Sequence, residues 1–178
     1  MEVVELPLRG LLLVKPRVVR DDRGFFVETF SAEPYRRAGI DVAFVQDNHS
    51  RSVNGTLRGM HFQTAPGQAK LVRAATGKIF DVAVDIRPDS PTFGRWHGVE
   101  LDAIDHHQLF VPVGFAHGFC VLSDIADVSY KVSSPYDAAT EAGFQFADPA
   151  VGIEWPTETP IISARDRDAR PLRDVVAT

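Results

Sequence analysis

Short apolar or alternating runs recur along this sequence, and residues typical of turns separate them. The turn chemistry is clearest at Asp22–Gly24, Asn54–Gly55 and Ala65–Gly67. Many short strands at such spacing are typical of antiparallel β-sandwiches and barrels. The pattern therefore predicts a chain built almost entirely from β-strands.

The clearest single strand is the run Phe80–Ile86. Its apolar residues alternate with Asp81 and Asp85, so the two sets point to opposite faces. Alternation with β-branched residues predicts a half-buried strand.

Ten segments are predicted strands: Leu11–Lys15, Phe25–Phe30, Ala43–Gln46, Thr56–Phe62, Ala69–Thr76, Lys78–Arg87, Trp96–Leu101, Gln108–Val111, His117–Val121 and Asp127–Val132. One short helix is predicted over Ser31–Ala38, with Ser31 as its N-cap. The polar region from Ser163 onward is helical or irregular. The pattern predicts an all-β double-sheet antiparallel jelly roll with short peripheral helices, formed by one domain over residues 1–178.

Charge and cysteine content exclude several classes of protein. The net charge of −5 argues against a protein that binds nucleic-acid phosphates. Cys120 is the only cysteine, so no internal disulfide is possible, and its apolar neighbours predict an inert, buried thiol. The sequence contains neither a recognisable signal peptide nor an apolar run long enough to span a membrane. These features predict a cytoplasmic protein.

The six histidines differ in context. His106 and His107 lie in a polar stretch and are predicted to be solvated. His61 and His117 lie in apolar strands, where an imidazole needs a partner or a function. Residues 112–117 match part of a cupin metal motif, but no His-x-His pair occurs in the sequence. A metal site needs three or four clustered ligands, so metal binding is not expected.

The strand Thr56–Phe62 carries Arg58 and His61 within a core-like run. In a regular strand these two side chains point to opposite faces. Both reach one pocket only if the strand bends or bulges, and Gly59 between them is a suitable place.

Tyr130 and Lys70 each allow two interpretations. Tyr130 shares a strand face with apolar residues, so it is either a core tyrosine bonded to the backbone or a buried general acid. Lys70 lies within a strand, so it is either exposed at a sheet edge or presents its ammonium group to a developing oxyanion. The residues alone leave both alternatives open.

Several segments together resemble the dTDP-4-dehydrorhamnose 3,5-epimerase family. They are Asp22–Glu28, Val45–Ser50, Leu57–Gln63, Gln68–Val72, Val82–Arg87, Ser90–Gly94, Pro112–Phe119, Tyr130–Lys131, Asp148–Pro149 and Ile153–Pro156. They occur in the family's order and extend over nearly the whole chain. The resemblance implies a cupin-like jelly-roll homodimer that uses neither a metal nor nicotinamide. The ligand it implies is a nucleotide-linked 4-keto-6-deoxy sugar.

The resemblance also implies roles for individual residues. His61 matches the general base, and Asp166 matches the carboxylate that orients it. Tyr130 matches the general acid on the opposite face of the sugar, and Lys70 matches the cation beside the C4 oxygen. His117 matches a further residue that contacts the sugar.

Other matching positions are those that bind the substrate. They are Arg23, Glu28, Gln46, Asp47, Asn48, Arg58 and Glu141. Tyr136 matches an aromatic residue that stacks on thymine. Arg165 stands where relatives often carry Lys, which keeps the charge but alters the geometry of its contacts.

The implied reaction is inversion at C3 and C5 of dTDP-4-dehydro-6-deoxy-D-glucose through an enolate. A monoepimerase that inverts only one of these centres is the nearest alternative, and a 3,4-ketoisomerase is a more distant one. A non-catalytic module that binds nucleotide sugars would lack the His61, Tyr130 and Asp166 set, which is present here. A metal-dependent cupin oxygenase would contain stoichiometric metal.

Overall fold

The computed structural model describes residues 1–176; Ala177 and Thr178, the last two residues of the predicted domain, lie outside the described residues. In chain order the strands are β1 (Glu2–Glu5), β2 (Leu12–Lys15), β3 (Val18–Asp21), β4 (Gly24–Val27), β5 (Gln46–Val53), β6 (Leu57–Gln63), β7 (Lys70–Thr76), β8 (Lys78–Asp85), β9 (Trp96–Asp102), β10 (Gln108–Val111), β11 (Phe115–Val121), β12 (Ile125–Val132) and β13 (Glu141–Gly143). The helices are α1 (Ala32–Arg37), α2 (Ala164–Arg167) and a 3-10 turn, Leu172–Asp174. None of the helices within residues 1–176 has the length and apolar character needed to cross a bilayer.

The strands form two large antiparallel sheets and one separate hairpin. The larger sheet has the order β1-β2-β10-β7-β12-β5, and the smaller sheet has the order β13-β6-β11-β8-β9. Within the described residues, β3 and β4 pair only with each other. The Asn54–Gly55 turn carries the chain from the larger sheet to the smaller one, and Gly55 adopts a φ of +73° that favours glycine.

The main hydrophobic core fills the space between the two large sheets. Val72 and Val128 of the larger sheet belong to the same cluster of buried residues as Ala83 and Phe119 of the smaller sheet. Alternation along each strand sends every second side chain into this space. The inner faces of the two sheets therefore line the interior of the molecule.

Both outer faces are also covered. On the larger sheet, Tyr35 of α1 and Ile40 pack against Leu71. On the smaller sheet, Phe144 and the rest of the C-terminal segment pack against Val82. Strands in both sheets therefore bury residues on two faces.

The predicted all-β class is confirmed, and most predicted strands differ from the observed ones by a few residues at their ends. The strand predicted over Ala43–Gln46 is wrong, because β5 begins at Gln46 and runs through polar residues to Val53. Burial alternates along β5, but the alternating residues are polar, so no hydrophobic pattern marks the strand. The strand predicted to reach Phe30 ends at Val27. Three further strands escaped prediction because they are short and lie at sheet edges or in the hairpin: β1, β3 and β13.

The predicted helix over Ser31–Ala38 contains α1, and Ser31 is its N-cap residue, although the Ser31 side chain makes no capping hydrogen bond. The region after Ser163 begins with α2, for which Ser163 supplies a side-chain cap. The prediction that Cys120 is buried is confirmed, and burial raises the pKa of its thiol. The cysteine therefore lacks the thiolate character of a nucleophile.

Two burial predictions are wrong. The strand with Asp81 and Asp85 is buried on both faces. These two residues share the face of Ile79 and Ala83, which lies in the core between the sheets, and the C-terminal segment covers the opposite, apolar face. His106 is buried rather than solvated, and its ring packs against Phe25 with ring centroids 4.3 Å apart. Both errors arise because contacts with distant parts of the sequence decide which side chains are buried.

Candidate active site

A cavity of about 480 Å³ opens between the two large sheets. The larger sheet contributes Lys70 and Tyr130 to its lining, and the smaller sheet contributes Arg58, His61 and His117. The C-terminal segment contributes Ile161, Ile162, Ser163, Arg165 and Asp166. The cavity thus gathers basic, acidic and phenolic side chains from distant parts of the chain.

A bulge in β6 places Arg58 and His61 in this same cavity. In the pairing with β11, His61 lies opposite His117 and Arg58 lies opposite Phe119, so β6 carries one extra residue between the two positions. Gly59 has a φ of +139°, and a Cβ atom there would lie 2.6 Å from the Cα atom of Gly118. Only glycine fits this position. The bulge lies where the sequence predicted that one could occur.

His61 forms a close pair with Asp166 of α2. Its Nε2 lies 2.7 Å from the Asp166 Oδ1. Burial opposes ionisation, but the hydrogen bond from His61 holds the pKa of Asp166 below its ordinary value. An ionised carboxylate can only accept hydrogen bonds, so Nε2 carries the hydrogen. Nδ1, which makes no hydrogen bond within residues 1–176, is left as the basic atom.

Lys70 begins β7, a central strand of the larger sheet, and is only 8% exposed. Burial lowers the pKa of Lys70 to about 8, while the charges of Glu141 and Asp81 act in the opposite direction. The described part of the chain offers its ammonium group no hydrogen-bond acceptor within reach. Of the two interpretations left open by the sequence, the structure supports the interior one.

Tyr130 lies on β12, on the larger sheet, and His61 lies on β6, on the smaller sheet. Both line the cavity, so they approach a bound molecule from different walls. Burial raises the pKa of Tyr130, so its phenol keeps its proton at neutral pH. Its hydroxyl has no hydrogen-bond partner among residues 1–176. It is therefore available to donate a proton into the cavity.

His117 has its own carboxylate partner, which the sequence analysis missed. Its Nε2 lies 2.6 Å from Oδ1 of Asp81, and the Asp81 side chain is fully buried. The only available signal was the alternation of Asp81 with apolar residues, which indicated a strand face but not the direction in which it points.

A smaller cavity of about 130 Å³ shares His61, Lys70 and Tyr130 with the first. Its lining also contains Gln46, Asn48, Tyr136 and Glu141. Tyr136 is 57% exposed, which leaves a face of its ring free for a planar ligand. Arg165 Nη1 donates to Glu141 at 2.7 Å. Burial opposes ionisation, yet the hydrogen bonds from Arg165 and Tyr136 keep the pKa of Glu141 below its ordinary value.

Three of the predicted substrate-binding residues do not lie in these cavities. Arg23 is on the β3–β4 hairpin and pairs with Asp21. Glu28 is exposed just beyond β4. Asp47 pairs with Lys131 at 2.9 Å and lines a different cavity. The structure brings the other predicted site residues together.

Within residues 1–176 no group of three or more His, Cys, Asp or Glu side chains is arranged to hold a metal ion. The cavity offers a free imidazole nitrogen on one wall, and a protonated phenol and a buried ammonium group on the other. A base and an acid on different walls can remove and return protons at carbon, and a cation can stabilise the anion in between. The fold and the site are those of an all-β enzyme that uses general acid–base catalysis.

The chain belongs to the dTDP-4-dehydrorhamnose 3,5-epimerase family, whose model matches residues 5–174. It is therefore an epimerase. It is 47% identical to the dTDP-4-dehydrorhamnose 3,5-epimerase of Shigella flexneri over 176 residues, which cover 98% of this chain and 97% of that protein.

Comparison with solved structures agrees. The fold matches dTDP-6-deoxy-D-glucose-3,5-epimerase from Legionella pneumophila, solved in complex with dTDP-4-keto-L-rhamnose, with a TM-score of 0.93 and 44% identity; the match covers 96% of this chain and 92% of that chain. A 3-epimerase is also similar: the dTDP-4-dehydrorhamnose 3-epimerase of Streptomyces niveus is 41% identical over 171 residues, which cover 95% of this chain and 83% of that protein.

Proposed function

We propose that this enzyme inverts C3 and C5 of dTDP-4-dehydro-6-deoxy-D-glucose and yields dTDP-4-dehydro-L-rhamnose, with neither a metal nor nicotinamide. The observation that supports this most strongly is one cavity with a basic histidine on one wall and a protonated tyrosine on the other. Identities near 47% to enzymes with this activity, over nearly the full length of both chains, agree with it.

The first step of the proposed reaction is removal of a proton next to the ketone. The C4 carbonyl acidifies the hydrogens on C3 and C5, and His61 Nδ1 accepts one of them. The electron pair moves onto the C4 oxygen, which becomes an enolate. Lys70 donates a charge-assisted hydrogen bond to that oxygen, which is strong in a cavity shielded from water. Asp166 stabilises the imidazolium that forms on His61.

Inversion requires that the proton return from the other side of the sugar ring. Returning it from His61 would restore the starting configuration. Tyr130 donates from the opposite wall, and its raised pKa keeps the phenol protonated until the enolate is present. The same two groups serve C3 and C5 in turn, once His61 has released its proton to water and Tyr130 has regained one.

The nucleotide part of the substrate is proposed to occupy the smaller cavity and its mouth. Tyr136 stacks on the thymine, and Gln46, Asn48 and Glu141 supply polar contacts. The Arg58 guanidinium, which is exposed beside the larger cavity, binds the diphosphate.

Arg23 and Glu28 are proposed to act across a homodimer. They lie on or next to the β3–β4 hairpin, where Phe25 and Phe26 are 54% and 72% exposed. An exposed aromatic pair on a separate hairpin is suited to insertion into a second copy of the chain. Arg23 would then complete the partner's diphosphate site. Mixed dimers of one R23A and one H61A subunit should contain one intact site and recover about half of the activity of the wild-type dimer, whereas each variant alone stays inactive.

The expectations about topology, domain number, location and partners also remain proposals. Strands β5 to β12 are divided between the two sheets as in a double-sheet jelly roll, with four in the order β10-β7-β12-β5 and four in the order β6-β11-β8-β9. We assign this topology to a single domain. The enzyme is placed in the cytoplasm, without nucleic-acid or membrane partners.

The proposed function is tested by following the product. The enzyme is incubated with dTDP-4-dehydro-6-deoxy-D-glucose, and the ketone is trapped by a reductase specific for the rhamnose configuration. The reduced product is then identified by NMR. dTDP-L-rhamnose would support the two-centre reaction. A product inverted only at C3 would make the enzyme a monoepimerase, like its relative from Streptomyces niveus, and recovery of unchanged sugar would refute the proposal.

A further inference from the structure

Asp81 is a fully buried charge beside the cavity that has no part in the reaction proposed above. One of its oxygens, Oδ1, lies 2.6 Å from His117 Nε2. The other, Oδ2, is buried and has no hydrogen-bond partner among residues 1–176. A buried carboxylate with an unpaired oxygen is costly unless positive charge lies close to it.

Strand pairing fixes where this carboxylate lies. Asp81 of β8 is opposite Phe119 of β11, two residues beyond His117. His117 is in turn opposite His61 of β6. The side chains of Asp81 and His117 therefore project into the space between the sheets, and the pair lies beside the proposed base.

The pair differs from the one formed by His61 and Asp166. The His61 side chain is 28% exposed, so it can exchange protons with a ligand or with water. The His117 side chain is 8% exposed. The contact leaves Nδ1 as the ring atom of His117 without a hydrogen bond to residues 1–176. A sealed pair of this kind is suited to holding a ring in place.

We propose that Asp81 is a positioning residue that acts through two neighbours. It accepts a hydrogen bond from His117 Nε2–H, which turns Nδ1 of that ring toward the sugar. Its charge also helps to keep the Lys70 ammonium group protonated beside the C4 oxygen. The proposal rests on the epimerase function proposed above and adds a residue to it.

The surroundings of Lys70 define what loss of Asp81 should do. The titratable groups around it are Asp81 on β8, Glu141 on β13, His61 on β6, His117 on β11 and Tyr130 on β12, with Arg58 and Arg165 elsewhere in the cavity lining. Only the two carboxylates raise the pKa of Lys70, and burial lowers it. Neutralising Asp81 removes one of the two, so Lys70 should lose its proton at a lower pH.

The first test is Asp81→Asn in the full enzyme. We expect kcat to fall about 10- to 100-fold, as is typical when an orienting partner behind a histidine is removed. KM should change by less than about threefold, because no direct contact with substrate is lost. The alkaline limb of the pH–rate profile should move to lower pH. A kcat near that of the wild type, or an unmoved alkaline limb, would overturn the proposal.

Asp127→Asn is the matched control. Asp127 is also a buried aspartate paired with a histidine, His49, but the pair lies outside both cavities of the site. The same substitution there should leave kcat and the pH–rate profile unchanged. A loss of activity equal to that of Asp81→Asn would show that such substitutions act through general loss of structure, and would overturn the specific role.

A second measurement needs no variant and no substrate. Imidazole ¹⁵N NMR of the wild-type enzyme reports which nitrogen of His117 carries hydrogen. A hydrogen on Nε2 supports the proposal even if Asp81→Asn fails to fold, whereas a neutral ring with its hydrogen on Nδ1 overturns it. If the wild-type enzyme failed to turn over the proposed sugar while Nε2 of His117 carried hydrogen, the proposed function would fall and the positioning of His117 by Asp81 would stand.

Discussion

The cavity and the outer face of the larger sheet contain the same kinds of side chain but use them differently. Outside the site, His49 pairs with Asp127, Lys131 pairs with Asp47, and the Tyr35 hydroxyl donates to the Thr29 carbonyl oxygen. At the cavity, His61, Lys70 and Tyr130 each keep a nitrogen or oxygen without a protein partner within residues 1–176. The protein satisfies the first set itself and leaves the second for a ligand.

This contrast teaches which feature marks the site. A histidine–aspartate pair alone does not, because such pairs occur on both faces. Burial alone does not, because Tyr35 is more deeply buried than Tyr130 and has its pKa raised to about 12. The distinguishing feature is that basic, cationic and phenolic groups without a protein partner within residues 1–176 line one shared cavity. Each matched pair of residues can be tested by the same substitution on both faces.

The largest difference is expected between the variants of the two histidines, His61 and His49. His61→Ala should lower kcat about 10³- to 10⁴-fold, because it removes the proposed base. Affinity for dTDP should stay within about threefold in calorimetry, since the nucleotide contacts remain. His49→Ala is the control and should retain wild-type kcat. Near-normal turnover by His61→Ala would remove the base assignment.

The next largest difference is expected between the variants of the two lysines, Lys70 and Lys131. Lys70→Met should lower kcat about 10²- to 10³-fold, the usual consequence of losing one donor to an oxyanion. Lys131→Met removes an ammonium group paired with Asp47 outside the site and should leave steady-state kinetics unchanged. Equal losses in the two variants would erase the proposed difference between the faces.

The pH dependence sharpens the comparison of the lysines. Because burial lowers the pKa of Lys70 to about 8, its ammonium group should be lost as the pH rises through that value. The rate should therefore decline above about pH 8. Lys70→Arg should be slower, since the guanidinium group has a different shape, but it stays charged and should abolish this decline. A wild-type rate constant that is flat to pH 10 would contradict the role of Lys70.

The smallest effect is on stability and concerns Asp127. The hydrogen bonds from Arg51 and then His49 lower the pKa of Asp127 far below its ordinary value. An aspartate with a lowered folded-state pKa contributes stability above its unfolded-state value near 4, and the contribution is lost as the pH falls. Asp127→Asn should lower Tm at pH 7, and the gap to the wild type should narrow as the pH falls below about 4 and close only at more acidic pH. A gap independent of pH would mean that the charge of Asp127 contributes nothing.

Much of this fold could be predicted because local alternation and turn chemistry agree with it. Strand β5 was missed because its polar residues face a cavity and solvent rather than a core. The position of Arg58 beside His61 could be anticipated because Gly59 suggested a bulge. Sequence could not show that the C-terminal segment covers the apolar face of β8, and so it could not predict that Asp81 lies on the inner face, between the sheets.

The residues of the candidate site also fall into two groups: those that a local sequence signal reveals and those that it does not. His61 and Lys70 attract attention because they interrupt apolar strands, which is a local signal. Asp166 lies in a short helix far along the chain, and only the family resemblance pointed to it. Arg23 and Glu28 were also predicted by resemblance, and in one chain they lie away from the cavity. Local sequence patterns reveal polar residues within strands, but the residues that these contact are determined by the complete fold.

The most direct test of the account is solvent exchange followed by NMR in deuterium oxide. We expect the wild-type enzyme to introduce deuterium at both C3 and C5 of dTDP-4-dehydro-6-deoxy-D-glucose. Tyr130→Phe should still exchange these hydrogens through His61, but with inversion slowed at least about 100-fold. Tyr35→Phe, which removes a buried hydroxyl outside the site, should behave as the wild type does. Exchange with normal inversion in Tyr130→Phe, or no exchange at either carbon in the wild type, would contradict a two-walled acid–base site.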